Sequence, residues 1–338
     1  MKPRAVFYTL LFVISLFVMS SLSFSTGLNQ KLEMKLDQMI DGTAHKPFVY
    51  RQLMPSAVRV VTSLLPQEWR GGWNEWASRS STMTRILQRV NIPSEMFVEY
   101  AVTLFLMYVS LIVFVFLFRR LFLSLYDAPV YFSDSVMLGT LAGIPAFFSY
   151  NFIYDIPTLA IFTGGLLFML QRRWQFFILF FFLGCWSKET TILLTLVFAI
   201  HFFKVRSDGK VPYRNLLLIQ CVIFTAVKSI LAVIYSDNPG RFVEFHLLDN
   251  LLFGYRFTLG EFLTWIFIFI FVVYQWADKP IFLKHAFWIG IPLIVLTLFL
   301  GLLHEMRDYG ELYPILFALM AHSVAVVIKI PVTVKAEI

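Results

Sequence analysis

Residues able to do chemistry are concentrated in four short polar segments, each next to apolar sequence. The segments are LHEMRDYGELYP at 303–314, HKPFVYRQLMP at 45–55, NFIYDIPT at 151–158 and WSKET at 186–190. Charged residues at the mouths of membrane spans are costly to retain and, where they persist, usually mark a site or a pathway. We therefore predict that the four segments lie at one face of a membrane and build a single site.

The side chains in and around these segments carry both signs of charge. Such a mixture near the lipid boundary suits a substrate that is half lipid and half polar, such as a sugar linked to a polyprenyl phosphate. A phosphate leaving group needs positive charge beside it, and an acceptor hydroxyl needs a carboxylate base. We predict Asp41 and Asp155 as catalytic carboxylates. The predicted substrate-binding residues are Tyr50, Arg51, Lys188, Glu189, Glu305, Arg307 and Asp308.

Each segment also has a purely structural interpretation. Asp155, followed two residues later by a proline, is placed to cap the N-terminus of a helix and to offset its dipole. Arg51 suits an interfacial position from which its side chain extends to lipid headgroups, and Lys188 and Glu189 suit a salt-bridged turn. The neighbours Arg307 and Asp308 suit an exposed loop pair, which is common in proteins and weak. Convergence of all four segments on one face favours a shared site over these separate roles.

The composition indicates a polytopic membrane protein. The chain has 338 residues, of which 59% are hydrophobic and 14% charged, and one soluble core cannot hide so much apolar surface. The net charge of +7 comes largely from Lys and Arg in short loops between apolar runs, which indicates membrane topology and not nucleic-acid binding. Cys185 and Cys221 lie inside apolar runs and offer no disulfide framework.

The apolar runs predict an all-α fold, a single transmembrane domain over residues 1–338 with about ten transmembrane helices. The first run, from Ala5 to Met19, is interpreted as an uncleaved span because it is long and no clear cleavage site follows. Two runs are short, about 20 Å each, and are predicted to leave Lys188 and Glu189 in a recess below the surface. The later predicted spans are 96–118, 136–150, 155–170, 174–186, 190–203, one ending near 235, one ending near 276, 286–304 and one ending near 329.

Residues 27–95 form a long polar segment that we predict as the first outer loop. Apolar residues recur there at helical spacing, as in Val58, Val61 and Leu64. We expect amphipathic helices lying on the membrane surface, with tryptophans at the level of the lipid headgroups. The tryptophans concerned are Trp69, Trp73 and Trp76.

The distribution of Lys and Arg predicts the topology. If the N-terminus is inside, the inside segments hold fourteen Lys and Arg and the short outside segments hold four. Loops facing the cytoplasm are the ones enriched in these residues. We therefore predict cytoplasmic N- and C-termini and place all four polar segments on the outer side.

The chain resembles the GT-C class of integral-membrane glycosyltransferases. The similarity rests on HKPFVYRQLMP, on YDIPTL, on the Lys-Glu-Thr turn after a short span, and on ExRDxxELxP at 305–314. It covers most of the chain and implies a GT-C-like helical bundle, a lipid-linked sugar donor and an acidic base in the first outer loop. By resemblance that base is Asp41, with Asp37 next. The chain lacks the paired acidic motif of that loop and the large soluble C-terminal domain of better-studied members.

These expectations define one function and two alternatives. The expected function is transfer of a sugar from a polyprenyl-phosphate-linked donor to an envelope glycan or lipid acceptor, on the outer face of the inner membrane. The alternatives are a transporter or flippase for a lipid-linked saccharide, favoured by Lys228 inside a span, and a non-catalytic component of a polysaccharide assembly complex. Expected partners are the donor, the acceptor and membrane lipids, without nucleic acid. No cofactor is required by the sequence, and a divalent cation is left open because His45 and His304 lie on the predicted outer side.

Overall fold

The computed structural model describes residues 3–24, 32–203, 212–252 and 258–335, and within these ranges the fold is almost entirely α-helical. Two short strands, β1 (Tyr126–Asp127) and β2 (Thr333–Val334), pair antiparallel. Short 3-10 segments cover Leu32–Met34, Phe48–Tyr50, Ser94–Met96, Glu189–Ile192, Trp276–Asp278 and Met306–Leu312, the last with a kink at Tyr309. The α-helices are α1 (Pro3–Phe24), α2 (Leu36–Asp41), α3 (Leu53–Leu64), α4 (Gln67–Arg79), α5 (Ser81–Arg89), α6 (Phe97–Leu125), α7 (Val130–Phe147), α8 (Asp155–Leu170), α9 (Trp174–Ser187), α10 (Leu193–Phe202), α11 (Tyr213–Ile234), α12 (Leu247–Leu252), α13 (Leu259–Val273), α14 (Ile281–Phe287), α15 (Gly290–Leu300) and α16 (Tyr313–Val327).

Six helical segments of the described chain are long and apolar enough to cross a membrane, so the predicted class of polytopic helical membrane protein is confirmed. Apolar helices also occupy the remaining predicted span positions, but α8, α9 and α13 have only 16, 14 and 15 residues. Such helices cover about 21–24 Å of a hydrocarbon core of roughly 30 Å. The count of ten spans therefore stays a prediction. The six long segments are Arg4–Phe24, Ser94–Leu125, Val130–Phe147, Tyr213–Ile234, Ile281–Leu300 and Met306–Val327.

Helix α8 forms the centre of the bundle, packed against α6 and α9. Every residue of α8 except Phe168 and Leu170 is buried, as expected for a helix that is apolar all round. The neighbouring α10 approaches so closely that a Cβ added at Gly165 would lie 2.6 Å from Leu194 Cδ1. This packing fixes Asp155, the first residue of α8, at the central axis of the bundle end.

The break between α9 and α10 lies at Lys188. Helix α9 ends at Ser187, and Lys188 is extended (φ −155°, ψ 150°) before the 3-10 turn begins. The turn folds closely against the end of α9, since a Cβ on Gly184 would lie 2.5 Å from Thr191 Cγ2. The two short apolar runs thus form two helices, and Lys188 and Glu189 project from the irregular backbone between them.

The first polar loop contains helices α2 to α5, in agreement with its predicted helical spacing; residues 27–31 of the loop lie outside the described ranges. Helix α4 is fastened to the start of α6, because Arg70 Nη2 lies 2.7 Å from Glu99 Oε1 and the Val98 N–H donates to Asn74. Three indoles of α4 are about half exposed, and their place among lipid headgroups stays a prediction. These residues are Trp69, Trp73 and Trp76.

Replacing Gly165 by alanine is expected to destabilise the fold by about 1–3 kcal/mol, because the new methyl group overlaps the fully buried Leu194. Gly139→Ala in α7 is the matched control: nothing lies within 4 Å of its added Cβ, so alanine should be neutral or slightly stabilising there. The free energy of unfolding in detergent micelles measures both variants. Equal stability of the two would contradict the close packing of α8 against α10.

Candidate functional site

The four polar segments meet at one end of the bundle. Arg51 Nε donates to Glu189 Oε2 at 3.1 Å and joins segment 45–55 to segment 186–190, while its Nη1 donates to the Tyr154 hydroxyl of segment 151–158. Arg307 Nη1 of segment 303–314 lies 3.9 Å from Asp155 Oδ2. All four segments therefore contribute charged side chains to the same end of the bundle, where they form three neighbouring groups of ion pairs that we call the ionic cluster.

One part of this cluster, the basic lobe, consists of Arg51, Lys228 and Glu189. Lys228 Nζ, from the membrane-spanning helix α11, lies 3.4 Å from Glu189 Oε1, and Arg51 holds the other oxygen of the same carboxylate. The side chains of Arg51 and Lys228 are 15% and 16% exposed, whereas that of Glu189 is 38% exposed. Two cations thus share one carboxylate, and the carboxylate is the most accessible group of the three.

A second part, the acidic lobe, surrounds Arg307 with three carboxylates. Arg307 contacts Glu305 Oε2 through Nη2 at 2.5 Å and Nε at 2.8 Å. Asp308 Oδ1 and Asp155 Oδ2 each lie 3.9 Å from the guanidinium. Backbone N–H groups bind the two aspartates as well: that of Phe152 donates to Asp155 Oδ2 at 2.7 Å. This lobe carries an excess of negative charge.

A buried ion pair lies between the lobes. Lys188 Nζ is 3.3 Å from Glu311 Oε1, and their side chains are 8% and 1% exposed. The Thr190 hydroxyl donates to the same Glu311 oxygen. A charge pair this deep holds only with good geometry and further hydrogen bonds, because taking each ion out of water costs several kcal/mol.

A small cavity of about 10 Å³ lies where the acidic lobe meets the buried pair. Both carboxylates in its lining, Asp155 and Glu311, have one buried oxygen without a hydrogen-bond partner among the described groups. The volume suits one water molecule or one hydroxyl group. The free oxygen of Asp155 is thereby available as a proton acceptor. The cavity is lined by Phe148, Asp155, Thr158, Leu159, Phe162, Lys188, Arg307, Gly310 and Glu311.

Aromatic rings hold both arginines. The Arg51 guanidinium carbon lies 4.5 Å from the centroid of the Tyr154 ring, and that of Arg307 lies 4.2 Å from the Phe152 ring. Burial alone lowers the pKa of Arg51, but the neighbouring Tyr154 and Glu189 oxygens raise it above the ordinary arginine value. For Tyr154 burial acts in the opposite direction and raises the pKa of the hydroxyl group. Arg51 is therefore permanently charged, and Tyr154 stays a neutral phenol.

An apolar pocket of about 420 Å³ adjoins the acidic lobe. Leu303 and Tyr309, which flank Arg307 in the chain, belong to its wall, and the Tyr309 hydroxyl lies 3.5 Å from the Leu303 carbonyl oxygen. A largely apolar pocket of this size is suited to the lipid part of a ligand. The pocket is lined by Trp265, Ile268, Phe269, Val272, Phe287, Trp288, Gly290, Ile291, Ile294, Leu303, Tyr309, Leu312 and Leu316.

Most predicted site residues belong to the cluster, but two lie apart from it. Asp41 is exposed at the end of α2, and no ion pair or hydrogen bond of the described residues links it to either lobe. Tyr50 is buried and packs against Phe242, with ring centroids 5.5 Å apart. The roles of all the predicted residues stay predictions. The seven in the cluster are Arg51, Asp155, Lys188, Glu189, Glu305, Arg307 and Asp308.

Three cluster residues were not selected from the sequence. Lys228 carried a usable signal, since an ionisable residue inside a span is itself a functional hint. Glu311 lies within the polar segment 303–314 but resembles an ordinary loop carboxylate, and Tyr154 is one of many aromatic residues. Within the described ranges, no group of three or more His, Cys, Asp or Glu side chains is arranged to hold a metal ion.

Comparison of the chain with protein-family models, with curated proteins and with solved structures finds no match. What the fold and the site define is a class: a polytopic helical membrane protein with a mixed-charge cluster at one end of its bundle and an apolar pocket beside it.

Lys188→Met is expected to lower the free energy of unfolding by about 3–5 kcal/mol, because Glu311 is left as an uncompensated charge that is 1% exposed. The double variant Lys188→Met with Glu311→Gln should recover most of this loss. The control is Arg79→Met, which breaks an exposed pair with Glu75 and should have little measurable effect. Unfolding in detergent measures all three, and a Lys188→Met effect as small as that of the control would be evidence against a buried pair.

Proposed function

We propose that the chain is a GT-C-like glycosyltransferase with ten membrane spans, working at the outer face of an inner membrane with both termini cytoplasmic. It moves a sugar from a polyprenyl-phosphate-linked donor to an envelope glycan or lipid acceptor. The observation that carries the proposal is the division of one ionic cluster into a basic lobe and an acidic lobe, next to an apolar pocket. The basic lobe suits the phosphate of a lipid-linked donor, and the acidic lobe with its adjoining pocket suits the hydroxyl group and the lipid part of an acceptor.

The basic lobe suits the donor phosphate. Arg51 and Lys228 face one another across Glu189, and Lys228 belongs to α11, which is exposed along most of its length. A donor chain can therefore lie along α11 while its phosphate reaches both cations. Positive charge at this point stabilises the phosphate that leaves. Lys188 and Arg307, which the sequence also suggested as phosphate-binding residues, are less suitable. Lys188 already pairs with the buried Glu311, and Arg307 already pairs with three carboxylates.

The acidic lobe suits the acceptor. Asp155 takes the proton of the acceptor hydroxyl on its unpartnered oxygen, and the hydroxyl oxygen forms the new bond to the anomeric carbon of the sugar. The bond between that carbon and the phosphate oxygen breaks, and polyprenyl phosphate leaves with the bonding electrons. The apolar pocket beside this lobe accommodates the lipid part of an acceptor.

Two carboxylates compete for the role of base. The resemblance assigns it to Asp41, whereas the position in the cluster favours Asp155, which is 3% exposed and ion-paired with Arg307. A base has to lie within hydrogen-bond reach of the hydroxyl it deprotonates. We therefore place Asp155 in this role and use Asp41 as its comparison.

The transporter alternative is favoured by one specific observation, the ion pair between Lys228 within α11 and Glu189. Ionisable residues inside spans frequently belong to transport pathways. The remaining charges, however, come from helix ends and not from the middle of spans, which supports the transferase.

Asp155→Asn is expected to reduce product by about 10²–10⁴-fold, because amide oxygen is a poor proton acceptor. Asp41→Asn, an equivalent change outside the cluster, should leave product near the wild-type amount. Lipid-linked saccharides and surface glycan are quantified by mass spectrometry in cells carrying each variant, with membrane levels checked by immunoblot. Loss of product only with Asp41→Asn would move the base to Asp41, and normal product with both would favour a transporter or a non-catalytic component.

A further inference from the structure

Glu189 occupies an unusual place in the basic lobe. Its two oxygens bind two different cations, Oε2 to Arg51 Nε at 3.1 Å and Oε1 to Lys228 Nζ at 3.4 Å. We propose that the Glu189 carboxylate is an internal stand-in for the phosphate monoester of polyprenyl phosphate, the product that leaves the sugar donor, and that this phosphate binds Arg51 and Lys228 by displacing Glu189. The proposal rests on the proposed function and names the anion-binding residues of that site and the device that keeps them closed.

The exposure pattern supports displacement. The Glu189 side chain is 38% exposed, more than twice the exposure of either cation that it binds. Glu311, the carboxylate that pairs with the neighbouring Lys188, is 1% exposed and also accepts a hydrogen bond from Thr190. Glu189 is therefore the carboxylate that solvent or ligand reaches first, and its removal does not require the buried pair to open.

Arg51 is held independently of Glu189. It donates to the Tyr154 hydroxyl, and its guanidinium carbon lies 5.5 Å from the Phe48 ring and 4.5 Å from the Tyr154 ring. Helix α11 fixes the backbone of Lys228, whose ammonium group pairs with Glu189. When the carboxylate swings out, an incoming phosphate therefore meets a preformed guanidinium, with the Lys228 ammonium within reach.

Charge explains why one anion replaces another. Two partly buried cations without a counter-ion are costly, so a carboxylate neutralises them in the free protein. The donor phosphate is a diester, but it becomes a monoester when the bond to the sugar breaks. A phosphate monoester carries more negative charge than a carboxylate and has three oxygens that accept charge-assisted hydrogen bonds. When a phosphate replaces Glu189, both cations keep a counter-ion. An anion that binds the two cations more weakly than Glu189 does cannot displace it and is therefore a poor ligand of the basic lobe.

The test measures binding of geranylgeranyl phosphate to the full-length chain in lipid nanodiscs by isothermal titration calorimetry. Glu189→Gln is expected to tighten binding about tenfold or more, because the competing carboxylate is lost while the side-chain shape is kept. Lys228→Met should weaken binding by a similar factor, and the double variant Glu189→Gln with Lys228→Met should lose the gain. Glu75→Gln, at the exposed pair with Arg79, is the matched carboxylate control and should not change binding.

Three further ligands identify the source of the phosphate. Geranylgeraniol lacks the phosphate and should show no gain with Glu189→Gln. Inorganic phosphate showing the same relative gain would support a site for the phosphate group alone, and a gain only toward phosphatidylglycerol vesicles would overturn the assignment to a monoester. Unchanged or weaker geranylgeranyl phosphate binding by Glu189→Gln, with normal unfolding, would overturn the proposal itself.

The binding experiment on Glu189→Gln and the glycan measurement on Asp155→Asn test the two proposals separately. Tighter binding by Glu189→Gln together with normal glycan in both Asp155→Asn and Asp41→Asn cells would keep the stand-in and reject the transferase. Unchanged binding together with loss of glycan in Asp155→Asn cells would keep the transferase and reject the stand-in.

Discussion

The electrostatic pairing of buried charges at one end of an apolar bundle is the constraint on which the rest of the structure depends. Four cations and five carboxylates meet there. Most of them pair with a residue from a different segment of the chain, whereas Glu305 and Asp308 pair with Arg307 of their own segment. Breaking one pair would leave an uncompensated charge in apolar surroundings, which is far more costly than losing an exposed pair. The ends of the helices are thus held in register by charge, while their apolar sides determine only general packing.

This constraint also accounts for the irregular backbone around the cluster. Helix α8 begins at Asp155, α9 and α10 are separated at Lys188, and α16 is preceded by a 3-10 turn from Met306 to Leu312. Unpaired backbone groups are tolerated at such places when they line a polar recess or are buried within protein. Each interruption places a charged side chain where a continuous helix would have turned it toward a different neighbour.

Hydropathy alone predicted the helices well, because a long apolar run has few alternatives to a helix in a membrane. It also placed Arg51, Asp155, Lys188 and Arg307 at a common end, since loop order determines which helix ends are neighbours. Hydropathy could not predict which cation pairs with which carboxylate. Whether Lys228 faces Glu189 depends on the rotation of α11 about its axis, and loop order carries no information on that rotation. Asp41 in the first outer loop is the reverse case. Its position in the chain suggested that it belongs to the site, but at the end of α2 its side chain is exposed.

The separation of charge within the cluster has a chemical consequence. With more carboxylates than cations, the cluster as a whole would repel an anion at long range. Locally, however, Arg51 and Lys228 share one accessible carboxylate, whereas Arg307 is outnumbered by Glu305, Asp308 and Asp155. Positive and negative fields therefore exist side by side, joined by the neutral Lys188–Glu311 pair. A group-transfer reaction that releases an anion and a proton needs these two environments at once, and mixing the charges evenly would provide neither.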